Sequence, residues 1–288
     1  MTSERVDGPP VPDRAITDDA ALAVALAAGA AQVLVALRER ADAGEAPRAG
    51  TELGKAGDAA AQRWLADALA ATRPYDAVLS EEAEGDASRL GAARVWIIDP
   101  LDGTREFGEI DPDGTRRTDF AVHVALWASG AGLVAGAVAL PGRGIVLDSA
   151  GVLPVSDADA RAVLEGRRPL RIAASRTRPP AIVGRLAERA DVDLVPMGSN
   201  GVKVVAVVEG RADAYIHAGG QYEWDSAAPV AVARAAGLIA TRLDGSALAY
   251  NKPDPWSPDL VVCHPALVAH VHRLLAEAGP DDAPGASA

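Results

Sequence analysis

One cysteine, Cys263, stands in a chain of 288 residues, which excludes an intrachain disulfide and any cysteine-based zinc centre. Basic side chains are also scarce. The 28 Lys and Arg face 40 Asp and Glu, a formal charge of −12. Nucleic-acid polymers are held mainly by clustered Lys and Arg, so that class of partner is not expected. A small anionic ligand remains compatible, because bound divalent cations reverse the local field. The amino terminus, Met1 to Arg14, lacks the basic-then-apolar order of a secretory signal. One uncharged run, Ala20 to Leu37, reaches the length of a membrane span. It is mostly alanine, however, and follows Thr17-Asp18-Asp19, an N-cap with acids in the first turn. The expectation is a buried helix, no membrane partner and a cytoplasmic protein.

With 49% hydrophobic residues, the chain is long enough for one large or two modest domains around a buried core. Thr17 to about Ala43 reads as a long helix, and a second helix is expected from near Asp58 towards Pro74. Asp76 to Leu79 and Arg94 to Asp99 read as strands, the latter stopped by Pro100. Phe120 to Trp127 and Leu133 to Leu140 form an expected hairpin, followed by a strand at Gly144 to Asp148. Ser156 to Arg168 is polar.

From Leu170 strands and helices alternate: strands at Leu170 to Ala174, Val192 to Pro196, Ala212 to His217 and Leu260 to Cys263. Helices are expected at Pro180 to Ala190, Gly201 to Glu209, Asp225 to Ala236 and Pro265 to Ala278. This divides the chain into an α+β half, residues 15–155, and an α/β half, residues 165–278. Residues 1–14 and 279–288 are expected to be disordered.

The densest chemistry lies in Trp96-Ile97-Ile98-Asp99-Pro100-Leu101-Asp102-Gly103-Thr104. An apolar strand delivers Asp99 at its carboxyl end, where ligands collect in α/β folds. Pro100 turns the chain so that Asp102 can point back towards Asp99. Gly103 permits close backbone approach, and Thr104 can open a helix whose amides face an anion. Ser80-Glu81-Glu82 follows another strand. Asp225, within Glu223-Trp224-Asp225-Ser226-Ala227-Ala228, heads an apolar helix, as Asp58 heads an alanine-rich one; each is either a helix cap or part of a site. If Glu81, Asp99, Asp102 and Asp225 converge, cations are required. Two like charges about 4 Å apart repel by roughly 4 kcal/mol at an effective dielectric near 20. All-oxygen ligands favour magnesium or manganese, the ions of metal-assisted displacement at phosphorus. On the substrate side, Ser175, Arg176 and Arg178 follow a strand end, with Ser199 and Lys203 as further candidates. His123, between Val122 and Val124, reads as a packed strand residue. His217 and Tyr222 lie near the Trp-Asp motif without a decided role.

Asp99-Pro100-Leu101-Asp102-Gly103-Thr104, the Glu81-Glu82 pair and Trp224-Asp225-Ser226-Ala227-Ala228, in this order and spacing, resemble the inositol monophosphatase superfamily of lithium-sensitive, magnesium-dependent phosphatases. The likeness spans roughly Thr17 to Ala278. Within it, Arg105-Glu106-Phe107 after the Asp-Gly-Thr, Gly198-Ser199 followed by Lys203, and Glu223 before Trp224 look most like the CysQ-type 3′-phosphoadenosine 5′-phosphate (PAP) phosphatases. The resemblance implies an α/β and α+β chain folded as a layered αβαβα sandwich. It implies Glu81, Asp99, Asp102, Asp225 and the Leu101 carbonyl as ligands of two or three Mg2+ ions. Asp58 and Thr104 would align the attacking water and join Glu81 as catalytic residues. Gly103, Thr104 and Arg105 would meet the phosphate, with Ser175, Arg176, Ser199, Lys203 and Asp225 towards the rest of the substrate.

Family members often dimerise, so a homodimer is possible. Two departures stand out: Gly54-Lys55-Ala56-Gly57-Asp58 replaces a Val-Thr-x-x-Asp pattern, and Pro229 replaces a commoner glycine. Alternative substrates are inositol 1-phosphate and fructose 1,6-bisphosphate. A haloacid-dehalogenase-type enzyme has one residue between its two aspartates, whereas Pro100 and Leu101 separate them here. A non-catalytic metal or nucleotide sensor would show damage at one of the chemical positions, and none is damaged.

Overall fold

The computed structural model describes residues 8–81 and 87–279. Helix α1 (Asp19–Asp42) starts where the Asp18 carboxylate accepts the Ala20 and Ala21 amides at 2.8 and 3.3 Å. Its uncharged run puts Leu22, Leu26, Val33, Leu34 and Leu37 in the core, each worth about 1.5–3 kcal/mol of burial. This helix is long and apolar enough to cross a bilayer by composition, yet here it lies against a β-sheet.

Helix α2 spans Gly50–Thr72, eight residues earlier than Asp58. The expected start at Asp58 is therefore corrected: Asp58 sits mid-helix and caps nothing. Gly54 and Gly57, within the stretch that departs from the family pattern, are contact points. A Cβ on Gly54 would lie 2.8 Å from both Thr104 Cγ2 and the Thr104 carbonyl oxygen. One on Gly57 would lie 2.6 Å from the Phe107 ring. The missing side chains let α2 press onto the short helix α3 (Thr104–Gly108), which outweighs their low helix propensity.

The first sheet has the order β1 (Ala77–Leu79), β2 (Arg94–Asp102), β3 (Ala121–Ala128), β4 (Gly132–Leu140), β5 (Ile145–Asp148). Only the β1–β2 pair is parallel. Pro100 does not end β2 as expected. Asp99 pairs with His123 and Asp102 with Ala121, so Pro100 and Leu101 face only Val122 across a bulge. A bulge tolerates proline because the ladder is interrupted there. It also returns Asp102 to the face occupied by Asp99, which a regular strand, alternating every residue, would not do.

The polar stretch at 156–168 contains helix α4 (Asp157–Leu164), capped by Ser156. The second sheet runs β7 (Val192–Met197), β6 (Leu170–Ser175), β8 (Ala214–Tyr222), β10 (Trp256–Cys263), β9 (Ile239–Thr241). The three-residue β9 gives too short a sequence signal, and β8 and β10 extend beyond their expected limits. Helices α5 (Ala181–Ala187) and α8 (Val268–Ala278) cover its outer face together with α4, around Ile172, Ile216, Leu186 and Leu274.

Helices α6 (Asn200–Val208) and α7 (Glu223–Ala235) lie between the two sheets. Their apolar side chains join Val95, Ile97 and Val138 of the first sheet to Tyr215, Leu260 and Val262 of the second. The other face of the first sheet packs on α1 and α2. The layers are thus α1/α2, first sheet, α6/α7, second sheet, α4/α5/α8, the expected αβαβα sandwich. Residues 8–14, expected to be loose, touch α2, where the Trp64 indole donates to the Pro9 carbonyl at 2.9 Å. Residues 1–7 and 280–288 lie outside the described residues, as does Glu82.

Candidate metal and phosphate site

Three carboxylates meet where the bulge of β2 faces the start of α7. Asp99, Asp102 and Asp225 each offer an oxygen, all within 4.8 Å of one another. Local bonds fix each one. Asp99 Oδ1 accepts the Leu101 amide at 3.0 Å, closing the turn around Pro100. Asp225 is the third residue of α7, not its first, and its Oδ2 accepts the Tyr222 amide at 2.6 Å. The helix-cap and site readings of Asp225 are therefore compatible, since one oxygen caps the helix and the other is left for the cluster. Asp102 Oδ2 receives the Ser199 hydroxyl at 2.5 Å and the Gly201 amide at 2.8 Å.

Such a group resists ionising. Burial, then the charges of Asp102 and Asp225, hold the Asp99 carboxyl well above the usual carboxylate range. Burial first, then Asp102, pushes Asp225 up to about 7, with Glu81 adding to the effect. Glu81 itself follows β1 and is exposed, one residue past the buried Ser80, whose hydroxyl accepts from Gln62 at 3.2 Å. A buried, all-oxygen group that cannot hold its full charge alone suits a hard divalent cation.

The remaining candidates divide sharply. Thr104 donates its hydroxyl to the Leu101 carbonyl at 3.1 Å, and Asp58 adds its charge to the field raising Asp99. Gly103 takes φ 91°, open to glycine, and a Cβ there would lie 3.2 Å from Phe120. A cavity of about 270 Å3 opens beside Asp102 and Gly103, lined by Ser175, Lys203, Tyr215 and His217 among others. Lys203 is buried, with its ammonium 5.0 Å from the Tyr215 ring centre. Burial lowers its pKa while Asp102 and Glu106 oppose that.

Three expected substrate contacts are already engaged or point elsewhere. Arg176 pairs with Glu106 at 3.2 Å and with Glu109, so its charge is neutralised within the protein. The Ser199 hydroxyl is committed to Asp102. Arg105 is exposed and does not line the cavity. No single-strand pattern can reveal such pairings, because each partner is distant in sequence. Sequence reasoning also missed two buried groups. His123, fully buried, stands 3.3 Å from Asp102 and 3.8 Å from Asp99. Glu223, also fully buried, accepts the Asn251 and Lys252 amides at 2.6 and 2.9 Å, and Arg89 donates to Asn251 at 2.7 Å. These bonds brace the chain preceding β10 against the start of α7.

A profile of the Inositol monophosphatase family matches residues 16–277. The chain belongs to the inositol monophosphatase family. The family is one of metal-dependent phosphatases, and the donors of the acidic cluster are suited to hold a cation. Within the family, a 3′-phosphoadenosine 5′-phosphate phosphatase of Mycobacterium leprae (strain TN) is 50% identical over 254 residues, which cover 85% of this chain and 89% of that protein. The 3′(2′),5′-bisphosphate nucleotidase CysQ of Escherichia coli (strain K12) is 32% identical over 201 residues, covering 68% and 78% respectively. Among solved structures, Mycobacterium tuberculosis SuhB matches with a TM-score of 0.66 at 24% identity, over 90% of this chain and 96% of that one. An inositol monophosphatase from Anabaena (Nostoc) gives 0.69 at 20% identity, over 91% and 96%. At these identities the solved structures establish the fold alone.

Proposed function

We propose that this protein is a magnesium-dependent phosphomonoesterase that hydrolyses 3′-phosphoadenosine 5′-phosphate to AMP and phosphate. The observation that carries this reading is the Asp99, Asp102 and Asp225 cluster beside an open cavity, in a chain half identical to a PAP phosphatase across most of both lengths. Glu81, Asp99, Asp102, Asp225 and the Leu101 carbonyl would hold two or three Mg2+ ions. When bound, magnesium supplies positive charge to the phosphoryl oxygens and to the leaving oxygen of an in-line displacement.

The chain's own residues do the rest. Burial raises the pKa of Asp99 and brings that of Asp225 to about 7, so metal uptake is coupled to proton release and to pH. Thr104, whose proton is directed to Leu101, keeps its oxygen lone pairs to accept a hydrogen bond from water and orient it. Asp58, brought close by the Gly54–Gly57 contact, is the second acceptor for that water. The Gly103 and Thr104 amides hold the phosphate, and no phosphoenzyme forms. Lys203 and Ser175 face the nucleotide side of the cavity. Arg176 is withdrawn from that side and Arg105 from the phosphate, and Ser199 becomes a support for Asp102. The cytoplasm and a homodimer complete the reading.

The test is phosphate release with magnesium from PAP, inositol 1-phosphate and fructose 1,6-bisphosphate at matched concentrations, with and without lithium. A strong preference for PAP with lithium inhibition is expected. Equal or faster release from the sugar phosphates would leave the metal chemistry standing and remove the nucleotide assignment.

A further inference from the structure

His123 touches both carboxylate-bearing segments, β2 at Asp99 and Asp102 and the start of α7 at Trp224. It lies on β3 directly opposite Asp99, on the face that meets the middle helix layer, and is fully buried. Its Nδ1 lies 3.2 Å from the carbonyl oxygen of Trp224, the residue preceding Asp225. A carbonyl only accepts, so Nδ1 carries the proton of that bond. The same nitrogen is 3.8 Å from Asp99 Oδ2, and Nε2 is 3.3 Å from Asp102 Oδ2. Room for the ring is reserved from the opposite side, since a Cβ on Gly201 would fall 2.2 Å from His123 Nε2.

Packing alone does not account for a histidine here. Nε2 is buried and makes no hydrogen bond among the described residues, and a buried polar atom left unpaired costs about 1–3 kcal/mol. Leucine would fill this strand position without that cost. The fold carries a destabilising polar ring at the place where it can set the distance between Asp102, Asp99 and the first turn of α7.

We infer that His123 is a positioning residue that holds the three metal-binding carboxylates at their mutual spacing, by its hydrogen bond to the Trp224 carbonyl on one side and by packing contact with Asp102 on the other. It touches neither substrate nor the reacting atoms. The inference rests on the metal reading given above, and groups placed around metal ligands typically change affinity 10–100-fold when lost.

The experiment is Mn2+ titration, by calorimetry and by loss of the free-ion paramagnetic signal, on the wild-type chain, His123→Leu, His123→Asn and Gly201→Ala. It is accompanied by melting in chelator. His123→Leu should melt at or above the wild-type temperature without metal, yet bind Mn2+ roughly 10–100-fold more weakly. His123→Asn, whose amide can still donate to Trp224, should recover part of that loss. Gly201→Ala, which pushes on Nε2, should weaken binding with His123 intact. In phosphate release, the magnesium needed for half activity should rise with the dissociation constant, while KM at saturating metal stays within about twofold.

A folded His123→Leu that binds Mn2+ as tightly as wild type overturns the inference. Should His123→Leu fail to fold, His123→Asn and Gly201→Ala decide it by the same titration, and wild-type affinity in both overturns it. Wild-type protein that binds no metal would overturn the metal reading and the inference together. Wild-type protein that binds metal but releases no phosphate would remove the enzymatic assignment alone.

Discussion

Replacing Asp225 by asparagine should stabilise the metal-free protein and destabilise the metal-bound one. Asp225 has its pKa raised from 3.8 to about 7 by burial and by Asp102, so the folded chain holds this proton more tightly than the unfolded chain. The sign follows: the contribution to stability is complete below the ordinary value of 3.8 and is lost as pH climbs to about 7. A tenfold change in ionisation is worth about 1.4 kcal/mol, which sets a ceiling on the order of 4 kcal/mol above pH 7; partial exposure of Asp225 screens it below that. Asparagine cannot ionise, and its carbonyl still accepts the Tyr222 amide. At about 2.1 cal/mol/K per residue, 288 residues give an unfolding entropy near 0.6 kcal/mol/K, and 4 kcal/mol becomes a melting shift of about 7 °C. The assay is thermal melting of wild type and Asp225→Asn in chelator at pH 4 and pH 8, then with saturating magnesium. The two should coincide at pH 4, and the variant should melt higher at pH 8 in chelator. The order should reverse with magnesium. A variant no more stable than wild type at pH 8 in chelator, or stabilised equally by magnesium, would refute the reasoning.

Three further outcomes are expected. Asp99→Asn should abolish turnover and remove the metal-dependent rise in stability, about 2.7 kcal/mol for a ligand at a hundredfold excess over its dissociation constant; retained activity would take Asp99 out of the site. Gly54→Ala should displace Thr104 and lower kcat by up to about 100-fold, the scale of a misplacement of about 1 Å, with the Mn2+ dissociation constant unchanged; full activity would show that Thr104 does not orient the water. Lys203→Ala should impair PAP hydrolysis more than inositol 1-phosphate hydrolysis, and equal loss on both would end its nucleotide-side role.

Features set by short-range pattern were legible in the sequence. The apolar run before Asp99, the Asp-Pro-Leu-Asp-Gly-Thr turn and the helix at Asp225 each follow from neighbouring residues, and the α+β and α/β halves follow from the order of such segments, while the layered sandwich came from the family resemblance. Roles decided by partners distant in sequence were not. Ser199 looked like a substrate contact because nothing nearby shows its hydroxyl meeting Asp102. Arg176 looked free because Glu106 and Glu109 lie some seventy residues earlier. The second helix was expected from near Asp58 rather than Gly50, since a single strand of text cannot show that Thr104 and Phe107 press against Gly54 and Gly57. His123 looked like packing because its alternation places it on the inner face, and only the crossing of α6 and α7 turns that face into a site.

The middle layer of helices has a consequence for synthesis. When a ribosome has released the first sheet as far as Asp148, the inner face carrying Val95, Ile97 and Val138 has no cover, because α6 and α7 are encoded downstream, ending at Ala235. At about 5–20 residues per second, the nascent chain waits roughly 4–17 s with that apolar surface exposed and with Asp99 and Asp102 lacking their third carboxylate. A translational pause between Asp148 and Glu223 would lengthen this vulnerable interval, and a chaperone that shields it would protect a half-made protein in which the carboxylate cluster does not yet exist.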